Sequence, residues 1–186
     1  MERAGAVGIS VLNEPTHFNG SLSGLVQARE AVGLPILMKD FVIVADQIEV
    51  AAQLGANVIL LIKALFDRNC CEMSLEKTIA FAHTKGLEVL LETHTQAEYQ
   101  SALETNADLI GINNRNLATL KIDLNTTTQI LQKNPKHDKT IISESGIQTR
   151  ADLEMLKRAG ANAFLIGSSI MQNQNIEEKI KEFTRI

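Results

Sequence analysis

Ile141-Ile142-Ser143-Glu144-Ser145-Gly146-Ile147, read together with Phe164-Leu165-Ile166-Gly167-Ser168-Ser169, decides how this chain is read. Each stretch is a short apolar run that stops on small polar residues. Such a run suits a strand buried on both faces, as in a parallel sheet. The Ser-Gly and Gly-Ser ends leave backbone N–H groups open to an approaching anion, because glycine brings no Cβ into the way. A helical pattern follows each of them.

Working outward, a repeat shows. Arg3-Ala4-Gly5-Ala6-Val7, Leu54-Gly55-Ala56-Asn57-Val58, Thr105-Asn106-Ala107-Asp108-Leu109 and Arg158-Ala159-Gly160-Ala161-Asn162 each lead into an apolar run. The copies start about 50 residues apart, in the range of a structural repeat. The Gly or Asn reads as the residue that closes a helix, and the run after it as a strand. Three more strands are expected between the copies, at Pro35 to Lys39, Leu87 to Glu92 and Thr140 to Glu144. Apolar residues three and four apart predict helices near Leu22–Val32, Ala45–Leu54, Met73–Lys85, Gln96–Thr105, Leu124–Lys133, Arg150–Ala159 and Ile176–Ile186. Strand–helix alternation means parallel strands with right-handed crossovers.

This is the pattern of an α/β protein of the (β/α)8 TIM-barrel class, with about seven βα units rather than eight. The two glycine–serine ends match the phosphate cup after the last two strands of such a barrel. Residues 1–186 are expected to form a single barrel domain, incomplete at the N-terminus. Met1 to Ala6 reads as the last turn of a helix, in nearly the same words as Lys157 to Ala161, so upstream sequence is expected to be missing. An open sheet of seven strands has two edges that a closed barrel lacks, and these could serve self-association.

Composition narrows the function classes. A net charge of −4 gives no basic footprint for nucleic acid, and Trp is absent. The two cysteines are neighbours, Cys70-Cys71, which is neither a disulfide framework nor a metal spacing. A reducing cytoplasm is the simplest reading. The longest apolar run is too short to span a membrane.

In a parallel barrel, chemistry sits where the strands end. The first polar residues after each apolar run are Asn13 and Glu14, Lys39 and Asp40, Lys63, Glu92, Asn113 with Arg115, Glu144 with Ser145, and Ser168. Strands must end somewhere polar, so each residue alone says little. Lys39 and Glu92, however, directly end otherwise apolar strands, and a buried charge without a partner is costly. Lys39 can serve as a general acid or a Schiff-base amine, or simply pair with Glu92 or Glu144. Glu92 can serve as a base if burial raises its pKa. Asn113 can orient a substrate oxygen. Arg115 can bind a carboxylate, or form a loop salt bridge. Lys63 reads as a solvated loop lysine. His17, His83, His94 and His137 show no ligand spacing: His83 reads as a helix-surface residue, and His94 as a loop residue near the active face. Cys70-Cys71 is expected to open a helix as partial core.

Ile36-Leu37-Met38-Lys39-Asp40-Phe41, Ile110-Gly111-Ile112-Asn113-Asn114-Arg115, Ser143-Glu144-Ser145-Gly146-Ile147 and Phe164 to Met171 resemble the indole-3-glycerol phosphate synthase family. Ile9 to Pro15 and Asp46-Gln47-Ile48 fit the same family, so the resemblance covers essentially the whole chain. It implies a (β/α)8 barrel of tryptophan biosynthesis that closes an indole ring from a carboxyphenylamino-deoxyribulose phosphate, losing CO2 and water, with no cofactor and no metal. It implies catalytic roles for Lys39, Glu92, Glu144 and Asn113. It implies substrate binding by Arg115, Glu14, Ser145, Gly146, Gly167 and Ser168. The family's first strand, with its Glu and Lys, and its N-terminal helical extension have no counterpart here. The partner implied is a small phosphorylated substrate, not nucleic acid or membrane. Two other readings remain open at this point: another phosphate-binding barrel enzyme, such as an aldolase or isomerase, and an inactive barrel fragment that self-associates.

Overall fold

The computed structural model describes residues 1–134 and 138–185. Strands and helices alternate. The strands are β1 (Ile9–Leu12), β2 (Ile36–Lys39), β3 (Val58–Ile62), β4 (Glu88–Thr93), β5 (Leu109–Asn113), β6 (Thr140–Glu144) and β7 (Ala163–Leu165). The helices are α1 (Pro15–Phe18), α2 (Leu22–Ala31), α3 (Ala45–Gln53), α4 (Lys63–Asp67), α5 (Leu75–Thr84), α6 (Gln96–Leu103), α7 (Asn125–Lys133), α8 (Arg150–Ala159), α9 (Ser168–Met171) and α10 (Ile176–Thr184). The seven strands form one sheet in chain order. This is the α/β class expected from the sequence, with the strand–helix alternation of the (β/α)8 family. His137 lies outside the described residues.

The chain divides into two compact units. One comprises Val7–Leu91 with Thr105–Asp108. Here β1 pairs parallel with β2, and β2 with β3. All five residues of β3 are buried, as are Ile36, Leu37 and Met38 of β2. A strand wrapped on both faces has no polar face to present, which is why these stretches read as unbroken apolar runs. Ser21 and Ser74 cap α2 and α5 by accepting the backbone N–H three residues on, from Gly24 and Lys77.

The other unit comprises Met1–Ala6, Glu92–Glu104 and the described chain from Leu109 onward. In it β5 pairs parallel with β6, and β6 with β7. Thr149 opens α8 with a reciprocal cap: its side chain accepts from Asp152 N–H at 3.2 Å, and Asp152 accepts from Thr149 N–H at 2.8 Å. Met1 to Gly5 is a helical turn closed by Gly5 at φ 94°, the counterpart of Gly160 at φ 116° after α8, as the repeat predicts.

The repeat has a physical purpose that its sequence does not announce. Asn57 Oδ1 accepts the Ile36 N–H at 2.9 Å, while its own N–H donates to the Ile36 carbonyl at 2.9 Å. Asp108 does the same to Val89, at 2.8 and 3.1 Å, and Asn162 to Ile141, at 2.8 and 2.9 Å. Each clasp fixes the start of one strand to the start of the next, so β2/β3, β4/β5 and β6/β7 come as couples. Two sequence expectations are corrected here. Asn106 is not a left-handed helix terminator, since it is absent from the positive-φ residues, and α6 closes instead with Glu104 in right-handed backbone. Cys70-Cys71 does not open a helix: α5 starts at Leu75 behind its Ser74 cap, and the free, exposed Cys70 sits in the turn before it.

Candidate functional site

In the first unit, β2 ends on the half-buried Lys39, whose carbonyl accepts the Asn13 N–H at 3.0 Å. Asn13 is itself buried, and its Nδ2 donates to the Ser21 carbonyl at 3.0 Å. Glu14 has a task in the backbone: its carboxylate accepts the N–H groups of Thr16 at 2.9 Å, His17 at 2.5 Å and Phe18 at 3.3 Å. Some desolvation pushes this carboxyl up, but those N–H bonds outweigh it and bring its pKa to about 2. Asp40 is shifted upward, by burial first and by the Glu14 charge as well. Lys63 is not a solvated loop lysine. It is 8% exposed, opens α4, and pairs with Asp67 one turn on. Taking an ammonium out of water is costly unless a counter-charge meets it.

In the second unit, β4 ends on Glu92, 2% exposed, and Thr93. His94 follows, and its ring lies between two carboxylates. Nε2 is 3.1 Å from Glu92 Oε1, and Nδ1 is 3.6 Å from Glu98 Oε2. Neither ring nitrogen completes a hydrogen bond, so these are ion-pair contacts. Burial pulls the imidazole toward neutral, but the two carboxylates prevail and raise its pKa to about 9. His94 lies in the loop after β4, as the sequence suggested, but its side chain is only 7% exposed and sits against Glu92.

Asn113 and Glu144 are register partners at the ends of β5 and β6, both buried. Asn113 Oδ1 accepts the Arg115 N–H at 2.9 Å, which turns the chain out of the strand. Arg115 donates to the Leu120 carbonyl at 3.3 Å and bridges to Ile122, so its bond is to the loop backbone. After Glu144 come two consecutive positive φ values, Ser145 at 67° and Gly146 at 86°. A Cβ on Gly146 would fall on the Ile122 side chain, so both its dihedral and its space require glycine. Gly167 and Ser168 are exposed at the start of α9. Ser169 Oγ donates to the Ile147 carbonyl at 2.8 Å, which ties the two glycine–serine corners together.

The sequence model described as indole-3-glycerol phosphate synthase matches residues 1–183. The chain belongs to the indole-3-glycerol phosphate synthase family. It is 45% identical over 183 residues to the indole-3-glycerol phosphate synthase of Methanocaldococcus jannaschii, covering 98% of this chain and 66% of that one. It is 42% identical over 188 residues to the enzyme of that name from Haloarcula marismortui, covering 100% of this chain and 68% of that one. The chain therefore spans about two thirds of the length of these family members. A solved structure described as "Native KDPGal structure" superposes with a TM-score of 0.68 at 18% identity, over 99% of this chain and 82% of that one. That likeness speaks for the fold alone.

Sequence reasoning missed three residues. Asn114, Thr127 and Ser143 are buried and bonded to one another beneath the Ser145 corner. The one available signal was the pair Asn113-Asn114 at a strand end, whose two side chains must face opposite ways. Among the described residues, no group of three or more His, Cys, Asp or Glu is placed to hold a metal ion. No helix there is long and apolar enough to cross a membrane.

Proposed function

We propose that this chain carries the chemistry of indole-3-glycerol phosphate synthase. The substrate is 1-(2-carboxyphenylamino)-1-deoxyribulose 5-phosphate, and the products are indole-3-glycerol phosphate, CO2 and water. Lys39 donates a proton to the ketone oxygen as the aromatic carbon attacks, and its positive charge favours the substrate carboxylate before it leaves. Glu92 takes the proton in dehydration, and Glu144 supplies a further carboxylate to the site. Asn113 and Arg115 position the substrate, with Glu14 acting at the β1 end. Ser145, Gly146, Gly167 and Ser168 cradle the phosphate through backbone N–H groups. The reaction calls for no redox or metal cofactor, and the setting is the cytoplasm.

The observation that carries this reading is the family match along the whole chain, with Lys39, Glu92, Asn113 and Glu144 each at the carboxyl end of its own strand. That is where chemistry sits in (β/α) barrels. The test is indole fluorescence on mixing the chain with the substrate. Lys39→Ala should lower turnover by roughly 100-fold or more. Near-normal turnover would remove Lys39 from the mechanism.

A second reading concerns assembly. In the sheet order β1 and β7 stand at the two ends, and Val7 just before β1 and Leu12 at its end are 85% and 41% exposed. Unpaired strand edges template pairing with another chain, so self-association through these edges is expected. Size-exclusion chromatography with light scattering, at several concentrations, reads it directly. A monomer at every concentration would refute it.

A further inference from the structure

We propose that Asn114 is the positioning residue of the phosphate corner, holding the peptide planes of Ser145 and Gly146 so that both N–H groups face the anion. The inference rests on the cup reading above and deepens it.

The Asn114 carboxamide is bonded at every edge. Its Oδ1 accepts from Thr127 N–H at 3.2 Å and Thr127 Oγ1 at 2.8 Å. Its Nδ2 lies 3.1 Å from Ser143 Oγ, 2.9 Å from the Glu144 carbonyl and 3.1 Å from the Ser145 carbonyl. Two donors on the oxygen and only acceptors around the nitrogen fix which way the amide points. The hydroxyl directions then follow. Thr127 donates to Asn114, so Ser143 Oγ must donate to Thr127 Oγ1 across 2.9 Å, while accepting from Asn114. Asn114, Ser143 and Thr127 thus form a closed ring of hydrogen bonds running in one direction, fully buried, where such chains reinforce one another.

The consequence lies in the two carbonyls. A trans peptide is planar, with its C=O and its N–H on opposite sides. The Glu144 carbonyl is drawn to Asn114, by both its side chain and its backbone N–H, the latter at 2.9 Å. The N–H on that same plane belongs to Ser145, and it must point away from Asn114. The Ser145 carbonyl is drawn the same way, so the Gly146 N–H also points away. Two successive N–H groups facing one side make an anion nest. Ser145 reaches this arrangement only by adopting φ 67°, a conformation non-glycine side chains disfavour. One buried carboxamide holds it there. Asn114 sits beneath the corner and acts on the anion through Ser145 and Gly146.

The test uses the chain as it is, with inorganic phosphate as the probe. Backbone amide NMR follows Ser145 and Gly146 during a phosphate titration, and circular dichroism and thermal melting report the fold. In the wild-type chain both amides should shift and saturate. Asn114→Asp keeps the shape but removes the amide donors, and should weaken phosphate binding about tenfold or more. Should that variant fail to fold, the pair Thr127→Val and Thr127→Ser decides: the first breaks the ring and weakens binding, and the second keeps the hydroxyl and restores it. Variants that lose stability yet bind phosphate as the wild type does would overturn the proposal. So would a wild-type chain whose Ser145 and Gly146 amides ignore phosphate. A chain that binds phosphate at this corner in an Asn114-dependent way, but forms no indole product, would sink the enzymatic reading and leave this one standing.

Discussion

Replacing His94 by Gln removes a cation from between two carboxylates, and its cost should depend on pH in a definite way. The ring nitrogens lie 3.1 Å from Glu92 and 3.6 Å from Glu98. Burial opposes the charge, the carboxylates favour it, and the pKa rises from 6.5 to about 9. The folded state therefore holds the proton more tightly than the unfolded chain does. This contribution is fully present below about pH 6.5 and disappears as pH climbs through about 9. The gap corresponds to roughly 3 kcal/mol. Glu98 is lowered by the same contact against the pull of its own burial, so the pair is counted once. Urea unfolding of wild type and His94→Gln at about pH 6 should show a deficit of up to roughly 3 kcal/mol in the variant. At about pH 9.5 that deficit should shrink to a small fraction, because the wild-type imidazole has by then lost its proton. Equal deficits at both values would mean that His94 matters for its volume and not its charge. An NMR titration of the imidazole placing its pKa at or below 6.5 would refute the reasoning at its root.

Three other outcomes follow from the geometry. Gly146→Ala should lower stability by about 1–2 kcal/mol for the backbone alone, with more for the displaced Ile122 side chain, read by urea melts together with loss of phosphate binding. Thr149→Ala removes the α8 cap and should lower stability by about 1 kcal/mol in the same assay. Glu14 has a lowered pKa, so its contribution is present above about pH 4.5 and is lost as pH falls through about 2. Glu14→Gln should therefore flatten the acid limb of the stability profile in that window; an unchanged limb would show that the α1 cap does not depend on the charge.

What could be read from the sequence was whatever is encoded by neighbours a few residues apart. Val58 to Ile62 is five apolar residues in a row because both of its faces are covered, and the strand fell where it was expected. Longer helices announced themselves by apolar spacing, while the residues that cap them, Ser21, Ser74, Thr95 and Thr149, came only with the structure. The short helices α1, α4 and α9 were invisible, since four or five residues do not complete an amphipathic repeat. Lys63 was misread because a lysine defaults to solvent, and only the Asp67 contact makes burial tolerable. At the candidate site, the residues at strand ends were legible, but the bonds that orient them were not. Asn114 meets Thr127 and Ser143 across long stretches of chain, and no local spacing encodes that meeting.

The clasps at Asn57, Asp108 and Asn162 say where this chain tolerates engineering. The shorter connections lie inside each strand couple, and the longer ones lead from one couple to the next. New termini or inserted sequence between β3 and β4, or between β5 and β6, leave every clasp whole. A cut at the same depth just ahead of Asn57 or Asn162 loosens the tether that sets register. The natural module for grafting or permutation is thus the clasped couple, and a single strand with its helix is half of one.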